Sequence, residues 1–543
     1  MTATIATFLG CKGRALRFLQ ILFVVAPAFI CYGFGQNSVG NLLTIDSWTE
    51  TFPRIDTIHV TGAQKSNNTT VQGAVVALFT AGGMLGALSC SYIGDKLGRR
   101  STIFLGAVLV TIGQILEASA FGLPQFIVGR LLLGLGAGML SATVPVWQSE
   151  CALPRSRGRH VVLVGLFISF GYVLASWVSL GFFQIKNSSV AWRVPLAIPN
   201  LLSITIMSTI YFMPESPRWL MKHGRVEEAR EALSALRDSS SDSAEVNAEI
   251  GLIEGVLETA QASITWKLLR NGGDKIAYRL MLCLLIQFWQ ELSGSALVAI
   301  YGTVIFQQNL QLDSQLSRIL SGAAVTWKFV SGFVAFATVD RLGRRRLFMI
   351  SGVGIGLCMM ALAISTSYPK DNHAASVAAV FFLFLFNFFV PLGFLGVNYL
   401  YCSEVSPIRF RTPMVAISTA NHWMWYVPLL ATPVNSRSCM LTLTRAYVIT
   451  MVTPVALETI GYKYYIVFCL VCATIPPTVY FIFPETMGHN LEDIERIFQE
   501  ADNPRQTVAL ARQLKHTTHG LEILSKNNGA MAETVENVED PEK

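Results

Sequence analysis

Apolar runs long enough to cross a bilayer recur along this chain from end to end. About twelve can be marked, at 17–41, 71–93, 101–121, 125–147, 158–182, 192–213, 278–306, 316–339, 346–367, 374–399, 413–455 and 462–483. Crossing roughly 30 Å of hydrocarbon takes about 20 helical residues. Lipid offers the backbone no hydrogen bonds, so such runs have to be helices. The charge content agrees: 14% of the 543 residues are charged and 52% are apolar, against about 25% charged in soluble domains. The expectation is an all-α polytopic membrane protein whose main partner is the lipid bilayer. Ten cysteines are scattered through it, several inside runs (Cys90, Cys283, Cys358, Cys469, Cys472), without metal-ligand spacing. They read as small apolar packing residues.

Orientation follows from the short basic loops. Lys96, Arg99 and Arg100 follow span two, and Arg155, Arg157 and Arg159 follow span four. Arg341, Arg344, Arg345 and Arg346 follow span eight, and Arg409 and Arg411 follow span ten. All fall on one side, which the positive-inside rule makes cytosolic, and both termini are then cytosolic. The loop 41–70 lies outside and carries the overlapping sequons at Asn67 and Asn68. The first apolar run is long and reads as a span, without a cleavable-signal pattern. The net charge of +6 belongs to the cytosolic loops, and no nucleic-acid partner is expected.

An internal repeat organises the chain. Gly94-Asp95-Lys96-Leu97-Gly98-Arg99-Arg100 recurs as Val339-Asp340-Arg341-Leu342-Gly343-Arg344-Arg345. Ser149-Glu150 followed by Arg157 recurs as Ser403-Glu404 followed by Arg411, and Pro214-Glu215-Ser216 as Pro484-Glu485-Thr486. Matched pairs in the same order make a duplication of six spans, an arrangement associated with alternating access to a midplane site. The expected organisation is a six-helix half over 1–214, a cytosolic helical insert over 215–275, a second six-helix half over 276–490 and a disordered tail over 491–543. The eleventh run is too long for one helix. It holds Asn435, Arg437 and Arg445, which are costly in lipid, so 427–446 reads as a translated intron or a loop insertion.

Several charges belong to the loop patterns repeated in the two halves. Asp95 suits a helix N-terminus, where the macrodipole favours anions, and the loop arginines reach acidic partners on neighbouring helices. Arg130 lies in Gly129-Arg130-x-x-x-Gly134-x-Gly136-x-Gly138, whose small residues permit close packing. Glu150 and Glu404 are its expected partners. The gating set is Asp95, Arg99, Arg100, Arg130, Glu150, Arg157, Glu215, Asp340, Arg344, Arg345, Glu404 and Arg411, pairing to lock the cytosolic side; the alternative is static anchoring.

On these residues the chain resembles the sugar porter family of the major facilitator superfamily. The resemblance runs through Gly94–Arg100, Gly129-Arg130, Trp192-Arg193-Val194-Pro195, Pro214-Glu215-Ser216-Pro217-Arg218-Trp219-Leu220, Asp340–Arg345, Tyr401-x-Ser403-Glu404 and Pro484-Glu485-Thr486. It implies the major facilitator fold, with about 12 transmembrane helices in two halves and a cytosolic helical insert. Members carry hexoses, pentoses, disaccharides or polyols by facilitated diffusion or proton symport, without a cofactor. The loops are most similar to the fungal hexose, polyol and quinate carriers.

Departures from that pattern bear on the substrate. Span one reads Gly33-Phe34-Gly35-Gln36-Asn37 where the family places an Asp used for proton coupling. Gly165 stands where span five usually has a sugar-binding Gln. Span seven reads Gln290-Glu291-Leu292-Ser293-Gly294-Ser295-Ala296, Lys328 replaces an Asn, and span ten has Gly396-Val397-Asn398-Tyr399. Gln290, Tyr301, Tyr399 and Trp423 remain as cavity residues, with His422 beside them. For Glu291 and Lys328 three readings stand: a mutual salt bridge, the binding of an ionisable substrate or proton, or a structural role at the cytosolic end. Glu117 is a further embedded acid, a possible proton site or a neutral hydrogen-bonded residue.

The expected function is transport of a sugar or polyol by alternating access at the plasma membrane, as uniporter or proton symporter. The alternative is a carrier of a non-sugar metabolite such as quinate or a secondary metabolite. No nucleotide-binding loop or metal cluster is present in the sequence, so an enzyme is not expected.

Overall fold

The structure, a computed structural model, describes residues 10–152, 157–185, 188–259, 275–368, 372–407, 410–424, 453, 455–457, 459–489, 491–501 and 503–513. Among the described residues there is no strand. Helices long and apolar enough to span run over Gly13–Leu42, Gly62–Leu97, Arg99–Ala118, Leu123–Cys151, Leu163–Phe183 and Val190–Phe212 in the first half. In the second they run over Ile276–Gln307, Ser314–Leu342, Arg344–Ser367, His373–Val405 and Lys463–Ile482. The eleventh span begins as the helix Arg411–Met424. The 427–446 stretch, Arg409 and the side chains of Arg157 and Arg411 lie outside the described residues.

Glycines set the packing of the first half. A Cβ at Gly134 in span four would stand 1.9 Å from the carbonyl oxygen of Phe79 in span two, and one at Gly138 would stand 2.0 Å from that of Gly83. On the other side of span four, a Cβ at Gly136 would lie 2.5 Å from the oxygen of Gly106 in span three. With little hydrophobic drive between helices in lipid, such close backbone contact supplies the dispersion energy that holds them.

The face bearing the basic loops is tied together within each half. Arg99 Nε donates to Glu150 Oε2 at 3.1 Å, and the backbone nitrogens of Arg99 and Arg100 donate to the Glu215 carboxylate at 3.1 and 3.0 Å. In the second half Arg344 Nη2 donates to Glu404 Oε1 at 3.0 Å, and the nitrogens of Arg344 and Arg345 donate to Glu485 at 3.0 and 3.2 Å. Glu215 and Glu485 thus occupy the N-termini of spans three and nine, where unpaired N–H groups and the helix dipole favour an anion. Burial nevertheless holds the Glu215 carboxyl above its ordinary range. Asp95 was expected in that position and is not there: it lies in the last turn of span two and pairs with Lys222 at 2.7 Å. Asp340 lies in the last turn of span eight, 3.4 Å from Arg344.

The insert is docked on the first half. Its described helices are Pro217–Lys222, Val226–Arg237 and Ala244–Thr259. Trp219 Nε1 donates to the Asp95 carbonyl at 2.7 Å, and Arg17 donates to the carbonyl of Leu236. Two boundaries differ from the sequence reading. Residues 491–513 were expected to be disordered, yet Leu491–Glu500 is a helix and 504–513 is helical. The reason is an apolar face, Ile494, Ile497 and Phe498, buried against Tyr278 and under the Arg279 guanidinium, 4.3 Å from the Phe498 ring. Span two begins at Gly62, so Asn67 and Asn68 sit on its first turns. Asn67 is exposed, but Asn68 is buried and its amide donates to the carbonyls of Pro53 and Asp56 at 3.0 and 2.7 Å. That amide is committed inside the loop, and Asn68 is withdrawn as a glycan acceptor.

Candidate substrate site between the halves

Two of the second-half spans are broken in mid-bundle. Span seven divides at Ser293–Gly294, with Gly294 at φ +88°, into Ile276–Leu292 and Ser295–Val304. Span ten divides at Leu395–Gly396, with Gly396 at φ +108°, into His373–Phe394 and Val397–Val405. Both glycines hold positive φ values that a side chain disfavours. The Gly396 nitrogen donates to Asn398 Oδ1 at 2.9 Å, so the freed backbone is satisfied locally. Broken helices free backbone dipoles at membrane depth, where solute sites are built.

Polar side chains converge at these breaks. Asn398 donates to Gln287 Oε1 at 3.2 Å and to Gln290 Oε1, and Gln287 donates onward to Ser418 at 3.4 Å. Lys328 Nζ donates to Ser295 Oγ at 3.2 Å, at the start of the second half of span seven, and sits 5.1 Å from the Tyr172 ring centroid. Tyr172 in turn donates to Gln36 Oε1 at 2.6 Å. Glu291 Oε1 lies 2.7 Å from His422 Nδ1, and His422 Nε2 lies 2.8 Å from the Tyr32 hydroxyl. Lys328, Glu291, His422 and Trp423 are each at most 2% exposed, and the charged groups are tolerable at such depth because they have close polar partners.

The expected cavity residues therefore separate. Gln290, Glu291, Lys328 and Tyr399 belong to this cluster. Trp423 forms its wall: its indole nitrogen donates to Ser141 at 3.2 Å, its ring lies 5.0 Å from that of Tyr32, and it covers Gly83, where a Cβ would stand 2.5 Å from it. Tyr301 lies in Ser295–Val304, beyond the break in span seven and towards the face opposite the basic loops. Glu291 takes His422 rather than Lys328 as its close neighbour, which speaks against the mutual salt bridge, one of the three readings. Arg130 likewise pairs with Glu117 at 3.6 Å, not with Glu150 or Glu404, and donates to the Gly35 carbonyl at 3.2 Å. Glu150 and Glu404 are taken by Arg99 and Arg344, at the far ends of their helices.

Tyr32, Gln36, Tyr172, Ser295 and Asn398 were missed as site residues. Gln36, Ser295 and Asn398 lie inside strings singled out for their departures and Tyr32 flanks one, but nothing in a single span tells which helix face turns to the other half. Gly165 also acquires a reason. A Cβ there would stand 2.3 Å from the Leu395 carbonyl oxygen, so the break in span ten fills the space that a Gln would need.

The halves meet on both sides of this cluster. Towards the face opposite the basic loops, a Cβ at Gly40 would stand 1.9 Å from the Ile300 oxygen, and Thr303 donates to Asn41 Oδ1 at 3.2 Å. Arg318 donates to the carbonyls of Asn41 and Thr44 at 2.7 and 3.0 Å. Towards the basic face lie the Gly165–Leu395 approach and a crevice where Ala416 meets Cys90, Gly94 and Ala142. Among the described residues no group of His, Cys, Asp and Glu is placed to hold a metal ion.

The chain matches the family model described as sugar (and other) transporter over residues 47–498. It is 29% identical over 501 residues to the sugar transporter STL1 of Saccharomyces cerevisiae, covering 91% of this chain and 83% of that protein. It is 32% identical over 441 residues to the MFS-type transporter oryC of Aspergillus oryzae, covering 80% and 78%. Among solved structures, the major facilitator proton:xylose symporter XylE bound to 6-bromo-6-deoxy-D-glucose superposes with a TM-score of 0.71 at 20% identity, over 89% of this chain and 99% of that one. The likeness to XylE establishes the fold.

Proposed function

The chain belongs to the sugar (and other) transporter family, and from that premise we propose that it carries a small polyhydroxylated solute, a sugar or polyol, by alternating access. It is a multi-pass membrane transporter, not an enzyme. The observation that carries the substrate reading is the meeting of polar side chains from both halves at two broken helices. Gln36, Gln290, Asn398, Ser295 and the Tyr32, Tyr172 and Tyr399 hydroxyls offer paired donors and acceptors, and Trp423 offers an apolar face. Hydroxyl groups need both kinds of partner, since a buried polar group left unpaired is costly.

The basic face is assigned to the cytosol by the positive-inside rule, with the carrier in the plasma membrane and both termini inside. The Arg99–Glu150 and Arg344–Glu404 pairs fix helix ends within each half, so that each half moves as a body while the seam between them opens. A second reading, a hydroxylated acid such as quinate, is favoured by one feature: the Lys328 ammonium at the start of the second half of span seven, where the helix dipole adds to its field.

Radiolabelled uptake in a yeast strain lacking its own hexose carriers tests this. The panel is D-glucose, D-xylose, sorbitol, glycerol and quinate. Saturable uptake of a neutral member is expected; uptake of quinate alone transfers the assignment to the acid, and surface-expressed protein that moves none of them sinks the sugar and polyol reading.

A further inference from the structure

Three protonatable side chains stand in a row across the seam between the halves. Tyr32 belongs to span one, His422 to span eleven and Glu291 to span seven, with 2.8 and 2.7 Å between successive partners. His422 and Glu291 are 1% and 2% exposed. The second carboxylate oxygen, Glu291 Oε2, has no hydrogen-bond partner among the described residues. A carboxylate left half-satisfied in such a place carries a heavy desolvation cost unless a proton or a ligand hydroxyl completes it. The remaining groups facing Glu291 come from four other elements: Tyr32 of span one, Tyr172 of span five, Lys328 of span eight and Tyr399 of span ten. Tyr399 also lies against His422, with ring centroids 6.2 Å apart.

We propose that the Glu291–His422 pair is the proton site of this carrier, closed by Tyr32 from the opposite half. The proposal rests on the transporter reading above. A proton taken from water at the outer face forms a new O–H or N–H bond on the pair when Tyr32 is drawn away, and it is held while Tyr32 covers Nε2. The same bond breaks towards water on the basic face when the halves part there. Solute is coupled because Glu291 Oε2, buried without a partner among the described residues, accepts a solute hydroxyl in one protonation state and repels or releases it in the other. A polar ladder leads outward from the pair's neighbours: Tyr172 to Gln36, Asn37 to Ser176 at 2.9 Å, Asn41 to the same Ser176 at 3.3 Å, and Thr303 to Asn41. Tyr32 makes the device conformational, since any separation of spans one and eleven uncovers the imidazole.

The test uses the purified full chain in liposomes loaded with pyranine. D-glucose, D-xylose, sorbitol or glycerol is added outside and internal acidification is recorded beside labelled uptake and counterflow. Solute-driven acidification is expected for the parent protein, and Glu291→Gln and His422→Gln are expected to lose it when it is expressed as protons per solute moved, so that a fall in uptake alone does not count. Saturable uptake without acidification overturns the proton site and leaves the carrier reading standing, whereas no uptake and no counterflow fails the carrier reading itself. Loss of acidification in Glu117→Gln but not in Glu291→Gln overturns the proposal in favour of the other buried acid.

A readout without solute covers variants that do not transport. The His422 and Trp423 rings are 5.5 Å apart, and a protonated imidazole quenches a neighbouring indole. Tryptophan emission of the parent should fall as the pH is lowered and the imidazole takes up a proton. The fall should vanish in His422→Gln and move along the pH axis in Glu291→Gln. Emission that does not change with pH in the parent, or the same change in all three proteins, overturns the proposal.

Discussion

Arg318 of span eight holds Thr44, just past the end of span one, by its carbonyl at 3.0 Å and also by its hydroxyl. The two residues belong to opposite halves, and the guanidinium lies 4.0 Å from the Phe183 ring centroid. A cation at a helix C-terminus meets the unpaired carbonyls and the negative end of the dipole. The contact therefore joins the halves on the face opposite the basic loops, the outer one in the proposed orientation, and alternating access has to break it.

Removing this latch should open the outer side. Hydrogen bonds to a charged group contribute about 1.5–3 kcal/mol each, so Arg318→Ala should raise outward-open occupancy by on the order of tenfold or more. The check is labelling of Thr303→Cys by an impermeant thiol reagent, with and without Arg318→Ala. Equal labelling rates would mean that the latch does not limit opening.

Restoring the family's amide in span five should harm the protein. The Leu395 oxygen already occupies the place a side chain at residue 165 would enter. Gly165→Gln should abolish uptake and lower thermal stability, and Gly165→Ala should show the same effect in smaller measure, about 1–3 kcal/mol for overpacking. Tighter sugar binding by Gly165→Gln would show that spans five and ten separate freely.

Span four should tolerate nothing larger than glycine where it crosses span two. Gly134→Ala places a carbon 1.9 Å from a fixed carbonyl, whereas Gly94→Ala meets nothing within 4 Å. Detergent-solubilised Gly134→Ala should melt several degrees below the parent, and Gly94→Ala should melt with it. The pair of melting curves separates backbone contact from a general intolerance of added bulk.

Of the two overlapping sequons, Asn67 rather than Asn68 should carry the glycan. With Asn187, the sequon of the loop after span five, changed to Gln throughout, endoglycosidase treatment should shift the Asn68→Gln protein on a gel but leave Asn67→Gln unmoved. Asn68→Gln should also loosen the outer loop, because the amide that joins Pro53 to Asp56 is displaced, and protease nicking after Arg54 reports it.

Much of the architecture was legible in the chain. Most of the spans follow from hydropathy and their basic loops from charge, which are local properties written in consecutive residues. The glycine-rich face of span four was legible for the same reason. Partner choice was not. Arg130 has Glu150 at the far end of its own helix and Glu117 near the end of the helix before it, and only the packing of span three against span four shows that Glu117 is the one in reach. Glu291 and Lys328 look paired by depth alone, yet the fold turns Glu291 towards His422, a residue 131 positions later that only tertiary packing brings beside it. The helix carrying Ile494, Ile497 and Phe498 was read as disordered because its charge is local, while the surface that buries its apolar face lies on span seven. Sequence alone determined that these helices exist and cross a bilayer, because lipid acts on each segment separately. The tertiary structure decided which faces meet across the seam, because contacts between helices depend on segments far apart in the chain.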